Sequence, residues 1–137
     1  MDSQICDNKK LNKKKLVLEI YNILRKLGIK TSNQGAKLIY LAIVIIINYN
    51  IEFIKLEDIY EIISKQIKNM NKFQIRRSIQ YAIDSRDIKK CEKNFEIIFG
   101  YEYNENIFTN KSFIEELILN ILKWEEFAPS HRTKQTL

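Results

Sequence analysis

The chain has 137 residues, of which 45% are hydrophobic, and carries 23 Lys and Arg against 17 Asp and Glu for a net charge of +6. This suits one domain with a single core and frayed ends. The only histidine, His131, lies in a polar tail, which excludes histidine-based metal clusters and Ser-His-Asp or Cys-His catalysis.

Charge is unevenly spread. Residues 1–93 hold 19 basic and 10 acidic side chains, whereas residues 94–137 hold 4 and 7. A polyanion-binding face is therefore sought in the first two-thirds. Cys6 and Cys91 are far apart and no signal-peptide pattern precedes them, so two free thiols in a reducing cytoplasm are expected. The longest apolar run, Leu38 to Ile47, would span about 15 Å as a helix. A bilayer core is roughly 30 Å thick, so a buried central helix is the better reading and no membrane partner is expected.

In chain order, residues 1–13 read as a flexible basic arm. Its basic cluster (Lys9, Lys10, Lys13, Lys14, Lys15) reads at least as well as a solvated tail as it does as a set of phosphate contacts. A first helix is expected from about Lys14 to Leu27, with Leu16, Ile20, Ile23, Leu24 and Leu27 on one face and Gly28 as its C-cap. A second, from Gly35 to Asn48, follows a polar loop in which Ser32 or Asn33 can cap it. It is apolar nearly all round and should be the hub. Its many isoleucines would suit a buried strand on periodicity alone, and length and the polar entry favour a helix.

A third helix is expected from Lys55 to Lys68, with Leu56, Ile59, Tyr60, Ile63 and Ile67 inward. Glu57 and Asp58 in its first turn and Lys65 and Lys68 in its last suit the helix dipole. After a short turn around Asn69–Asn71, with Asn71 as cap, a fourth helix covers Lys72 to Arg86. Ile75, Ile79, Ala82 and Ile83 form its core face, Gln74, Arg77 and Tyr81 lie opposite, and Gln80 and Arg76 flank them. A short fifth helix is expected over Lys89–Phe99, closing at Gly100, then an irregular aromatic connection over Tyr101–Thr109. A sixth runs from Ser112 to Trp124, capped by Asn110 or Ser112, with Phe113, Leu117, Ile118, Ile121 and Leu122 inward. The domain is thus placed at 14–126 and a disordered tail at 127–137.

The third and fourth helices with their tight turn have the layout of a helix-turn-helix, in which the second helix enters the DNA major groove. Gln pairs in bidentate fashion with adenine and Arg with guanine. Tyr81 can meet a thymine methyl or a phosphate. The expected base readers are therefore Gln74, Arg77, Gln80 and Tyr81. Lys65, Lys68, Lys72, Arg76 and Arg86 are the expected phosphate contacts, which hold register without reading sequence.

Leu27-Gly28-Ile29, Gly35, Ala42-Ile43, the run Ile75-Arg-Arg-Ser-Ile-Gln-Tyr-Ala-Ile-Asp84, Ile98-Phe99-Gly100-Tyr101 and Thr109-Asn-Lys-Ser-Phe-Ile114 occur in an order and spacing that resembles one family. This is the C-terminal DNA-binding (effector) domain of the sporulation-initiation response regulators, the stage zero sporulation protein A family. The likeness extends over about Leu16 to Leu122. It implies a six-helix domain reading promoter DNA through its third and fourth helices, usually as two copies on neighbouring sites. Only about fifteen residues precede the first helix, so the expectation is a standalone version without the family's phosphoacceptor receiver domain. The family tends to carry Arg where Gln74 stands, Glu where Arg76 stands, and Arg-His where Gln80-Tyr81 stand. Arg77 matches. These departures imply a changed target sequence.

The sequence thus reads as an all-α, cytoplasmic transcriptional regulator. Its partners are double-stranded DNA, a second copy of the chain as a homodimer on tandem sites, and the transcription machinery or a full-length regulator. No cofactor or metal is implied. The alternative is a protein-interaction module or antagonist that pairs with a full-length regulator or another partner. Its motivating features are the very apolar second helix and the acidic, aromatic C-terminal third. An enzyme is the least supported class. Glu115–Glu116 and Glu125–Glu126 are adjacent pairs that face different ways on a helix, unsuited to a shared acid–base site.

Overall fold

The computed structural model describes residues 2–49 and 55–126, with the backbone alone for 2–12 and 123–126. Six α-helices follow one another among them: α1 (Asp2–Lys26), α2 (Gln34–Asn48), α3 (Leu56–Gln66), α4 (Lys72–Asp84), α5 (Ile88–Phe99) and α6 (Asn110–Glu126). A 3-10 turn at Glu105–Ile107 lies between α5 and α6. The described residues contain no strand, as the all-α expectation requires, and no helix among them is long and apolar enough to cross a membrane.

The hub is α2. It packs against α1, α3, α4 and α6, most extensively against α4. A helix contacted from several sides cannot be amphipathic, which is why isoleucines occupy so much of its circumference. Leu38, Ile39, Ala42 and Ile43 are fully buried. Full burial of one such large aliphatic side chain contributes about 1.5–3 kcal/mol, so α2 is the largest single helical contribution to the core.

Around it the apolar stripes fall where the 3.6-residue period puts them. Ile20, Ile23, Leu24 and Leu27 of the first helix region are buried, as are Ile59, Tyr60 and Ile63 of α3 and Ile75, Ile79, Ala82 and Ile83 of α4. On α6 the buried set is Phe113, Ile114, Leu117, Ile118 and Ile121, while Leu122, expected inside, is exposed. Gly28 and Gly100 both take the left-handed conformation, with φ of 83° and 82°, closing α1 and α5 as glycine caps do.

Helix ends and caps differ from expectation in several places, α6 among them, which runs from Asn110 to Glu126 rather than from Ser112 to Trp124. First, helix begins at Asp2 rather than Lys14, so most of the expected arm is helical. The stretch from Asp2 to Lys26 has no Gly or Pro to break it, and lysine has high helix propensity. Apolar periodicity marks where a helix packs, not where it starts. Lys13, Lys14 and Lys15 are exposed, and the side chains of Lys9 and Lys10 lie outside the described residues.

Second, Asn33 occupies the N-cap of α2 without a side-chain cap bond. Third, Thr109 rather than Asn110 or Ser112 caps α6, its Oγ1 accepting from the Ser112 amide at 3.2 Å. Asn110 does something else. Its Nδ2 donates to Tyr60 Oη at 3.1 Å and to the Arg76 carbonyl at 3.0 Å, fastening the start of α6 to α3 and α4. Fourth, α3 and α4 each end two residues early, at Gln66 and Asp84. The expected tail, 127–137, lies outside the described residues.

Candidate nucleic-acid interface

The turn between α3 and α4 occupies residues 67–71, slightly longer than expected because α3 stops at Gln66. It reverses the chain without a glycine. Asn69 takes the left-handed conformation instead, with φ of 75°, which asparagine tolerates better than most residues. Asn71 then starts α4 with a full capping box. Its Oδ1 accepts from the Gln74 amide at 2.9 Å, and Gln74 Oε1 accepts from the Asn71 amide at 2.9 Å. Two amides that a helix start leaves orphaned are thereby satisfied. Gln34 Nε2 donates to Met70 Sδ at 3.2 Å, tying the turn to the start of α2.

With its core stripe held by α2 and α3, α4 presents the opposite stripe to solvent. Gln74, Arg77, Gln80 and Tyr81 all lie on it and are exposed. Arg77 is nearly opposite the buried stripe. Two further residues on this face, unremarked in the sequence, are Phe73 and Asp84. Phe73 is 63% exposed and Tyr81 66%, so the stripe carries two aromatic rings flanking Arg77. A helical wheel places Phe73 four residues before Arg77 on the same side, a signal that was legible. Asp84 puts one carboxylate at the C-terminal end of the face.

Gln74 is less free than expected. Bidentate pairing with adenine needs both its amide oxygen and nitrogen, and the oxygen is occupied in the capping box. Its Nε2 alone remains as a donor. Gln80 carries no such commitment among the described contacts.

Of the expected phosphate contacts, Lys65, Lys68 and Arg76 are exposed. Lys65 lies in the last turn of α3 and Lys68 in the following turn. Lys72 is half-buried: its Nζ lies 3.8 Å from Glu57 Oε2 and 5.7 Å from the Phe73 ring centroid. Arg76 sits on the edge of α4 toward Tyr60, whose phenol burial pushes up against a counter-pull from Asn110.

Arg86 is not a phosphate contact. It follows the end of α4, is only 6% exposed, and has both terminal nitrogens engaged inside the protein while its buried Nε has no hydrogen-bond partner. Nη1 donates to the Ile83 carbonyl at 2.9 Å, while Nη2 donates to Tyr103 Oη at 3.0 Å and Glu105 Oε1 at 2.9 Å. Its guanidinium carbon lies 3.7 Å from the Phe108 ring centroid. Burial pulls the guanidinium toward neutrality, but the Tyr103 and Glu105 hydrogen bonds outweigh it and hold it charged. A guanidinium fixed this way joins the end of α4 to the aromatic segment before α6 and cannot reach a phosphate.

Tyr103 also donates to Glu105 Oε2. That bond, with the one from Arg86, holds the Glu105 carboxyl below its ordinary value of 4.5. A carboxyl depressed in the folded state stabilises the fold above its unfolded pKa, and that contribution is lost as pH falls through the lowered folded value. The melting temperature of the wild type is therefore expected to fall more steeply below about pH 4.5 than that of Glu105→Gln, with the curves measured by circular dichroism. Glu105 is largely exposed, so the difference should be small. Nearby, Tyr101 donates to Glu116, and its phenol is pushed up to about 12 by burial and that bond.

The described residues contain no group of three or more His, Cys, Asp or Glu side chains able to hold a metal ion. Cys91 is buried and free, its thiol pushed up by burial against a counter-pull from Arg86.

Comparison of the chain with protein-family models, with curated proteins and with solved structures finds no match.

Proposed function

We propose that this protein is a sequence-specific DNA-binding regulator of transcription, with α3 and α4 acting as a helix-turn-helix and α4 lying in the major groove. One observation carries the reading: a helix anchored on its inner side by α2 and α3 presents Arg77 at the middle of an exposed stripe with Gln80, Tyr81 and Phe73 around it. Those side chains suit base edges and thymine methyl groups. Lys65, Lys68 and Arg76, with Lys72 once it leaves Glu57, suit the flanking phosphates. The resemblance to sporulation-regulator effector domains supports the same reading and suggests two copies on tandem sites in the cytoplasm.

Selection from a random duplex pool at two salt concentrations tests it. The expected result is an enriched motif that persists at the higher salt. Binding without enrichment, collapsing as salt rises, would leave only the phosphate term and defeat the reading.

Single substitutions sharpen the test. Arg77→Ala should cost about 1–3 kcal/mol and relax preference at one base pair. Lys68→Ala should weaken all sequences alike and reduce the salt slope by about one unit. Identical behaviour of the two variants across a site library would refute the division between readers and clamps.

A second reading has its own observation. Ile97 on α5 is 82% exposed, and Leu119 and Leu122 on α6 are also exposed. The two helices adjoin, since Asn120 Nδ2 donates to the Ile98 carbonyl. A protein-interaction module would use such apolar side chains. It predicts a stable complex with a regulator chain and weak DNA binding.

A further inference from the structure

The reading above uses the exposed face of α4 and the end of α3. A second groove, of about 380 Å³, lies where the end of α1, the following loop and the start of α5 meet. Arg25, Lys30 and Lys90 line it together with Thr31, Ser32 and Asp87. Among the described residues none of the three cations is in an ion pair. The one carboxylate is already engaged, Asp87 Oδ1 accepting from the Lys90 amide at 3.2 Å.

The groove is built rigidly. The Asp87 amide donates to the Gly28 carbonyl at 2.9 Å. Gly28 approaches Asp87 so closely that a Cβ there would fall 2.5 Å from the Asp87 carbonyl oxygen. Three cations against the single Asp87 carboxylate leave the groove net positive, and the like charges repel one another. An anion between them would relieve that repulsion, and the Thr31 and Ser32 hydroxyls add neutral donors for its oxygens.

Position identifies the anion. The same loop continues from Ser32 into a neighbouring groove lined by Asn33, Gln34, Gly35, Arg77, Ser78 and Tyr81. The basic groove therefore adjoins the proposed reading face, near the C-terminal end of α4. From Arg77 to the end of α4 at Asp84 the helix advances about 10 Å, and Asp87 and Lys90 follow directly after the turn that ends it. We propose that this groove is a second phosphate site, holding the sugar–phosphate backbone of the flank just outside the sequence read by α4. The inference rests on the DNA-binding reading.

The test compares the wild type with Lys30→Ala/Lys90→Ala, both exposed positions whose loss should leave the fold intact by circular dichroism. Each protein is titrated by fluorescence anisotropy, across a salt series, with its selected site in a long duplex and in one trimmed of the flank. On the long duplex the variant is expected to bind about 3–10-fold more weakly, with a salt slope shallower by about 1–2 units and an unchanged preferred sequence. On the trimmed duplex the two proteins should converge. Equal affinity and slope on the long duplex would overturn the groove while leaving the α4 reading intact. A difference that survives trimming would overturn its placement on the flank. Inorganic phosphate supplies the last arm. Saturation of the Lys30–Ser32 amide shifts by phosphate, with no response of those amides to duplex, would assign the groove to a small phosphorylated ligand and overturn the proposal. A wild type that binds no duplex at all would remove both readings together.

Discussion

Arg86→Ala is expected to destabilise the protein by about 2–4 kcal/mol, from lost hydrogen bonds to a charged group and from the cavity left behind. The side chain is buried, and deleting it leaves the Ile83 carbonyl, Tyr103 and Glu105 without their guanidinium partner. It also removes the cation stacked 3.7 Å from the Phe108 centroid, a contact worth about 0.5–2 kcal/mol in general. Glu105 is largely exposed, so water can replace its half of the ion pair. The Ile83 carbonyl keeps the Arg86 backbone amide as a donor at 3.3 Å, so the cost comes mainly from lost packing rather than from an orphaned acceptor or an abandoned charge. Two further variants separate these contributions. Arg86→Met refills part of the space with an aliphatic chain but loses the guanidinium over Phe108, and should recover only part of the lost stability. Glu105→Gln should cost well under about 1 kcal/mol, as exposed ion pairs do. Chemical denaturation measures all three. If Arg86→Ala melts like the wild type and instead lowers the salt slope of DNA binding, then Arg86 faces the nucleic acid and the buried arrangement is wrong.

Gly35→Ala should be similarly severe, about 2–3 kcal/mol, at the upper end of ordinary overpacking. A Cβ on Gly35 would stand 2.2 Å from the Ser78 carbonyl oxygen and 2.6 Å from Ala82 Cβ. The nearest obstacle is backbone and cannot rotate away, so α2 and α4 would have to move apart along the most extensive helix contact in the fold. Because α4 carries the proposed reading face, DNA affinity should fall even in protein that remains folded. Pairing the change with Ala82→Gly removes only the lesser clash. The double variant is expected to stay well below the wild type in thermal melting, and full recovery would show that α4 yields at the side-chain level alone.

How far the sequence reaches is clear from α4. Its inner stripe, its Asn71 cap and the exposure of Arg77, Gln80 and Tyr81 were all legible, because each depends on spacing within a few turns of one helix. The capping role of Gln74 went unread, although it engages the same amide oxygen that pairing with a base would use. Phe73 was overlooked although the wheel places it beside Arg77. Arg86 was beyond reach. Its partners Tyr103, Glu105 and Phe108 lie about twenty residues on, and nothing in the run Asp84-Ser-Arg86-Asp87 distinguishes a buried arginine from a solvated one.

The sequence by itself determined the six helices, the hub role of α2, the glycine ends of α1 and α5 and the inward residues of α3 and α4. Those features follow from hydrophobic period and from backbone preferences that act over a single turn. Only the tertiary structure decided that Arg86 is a buried bolt, that Gly35 is where α4 touches α2, that Asn110 fastens three helices and that Arg25, Lys30 and Lys90 share a groove. Each of these depends on the distance between residues far apart in the chain, which local pattern does not encode and packing does.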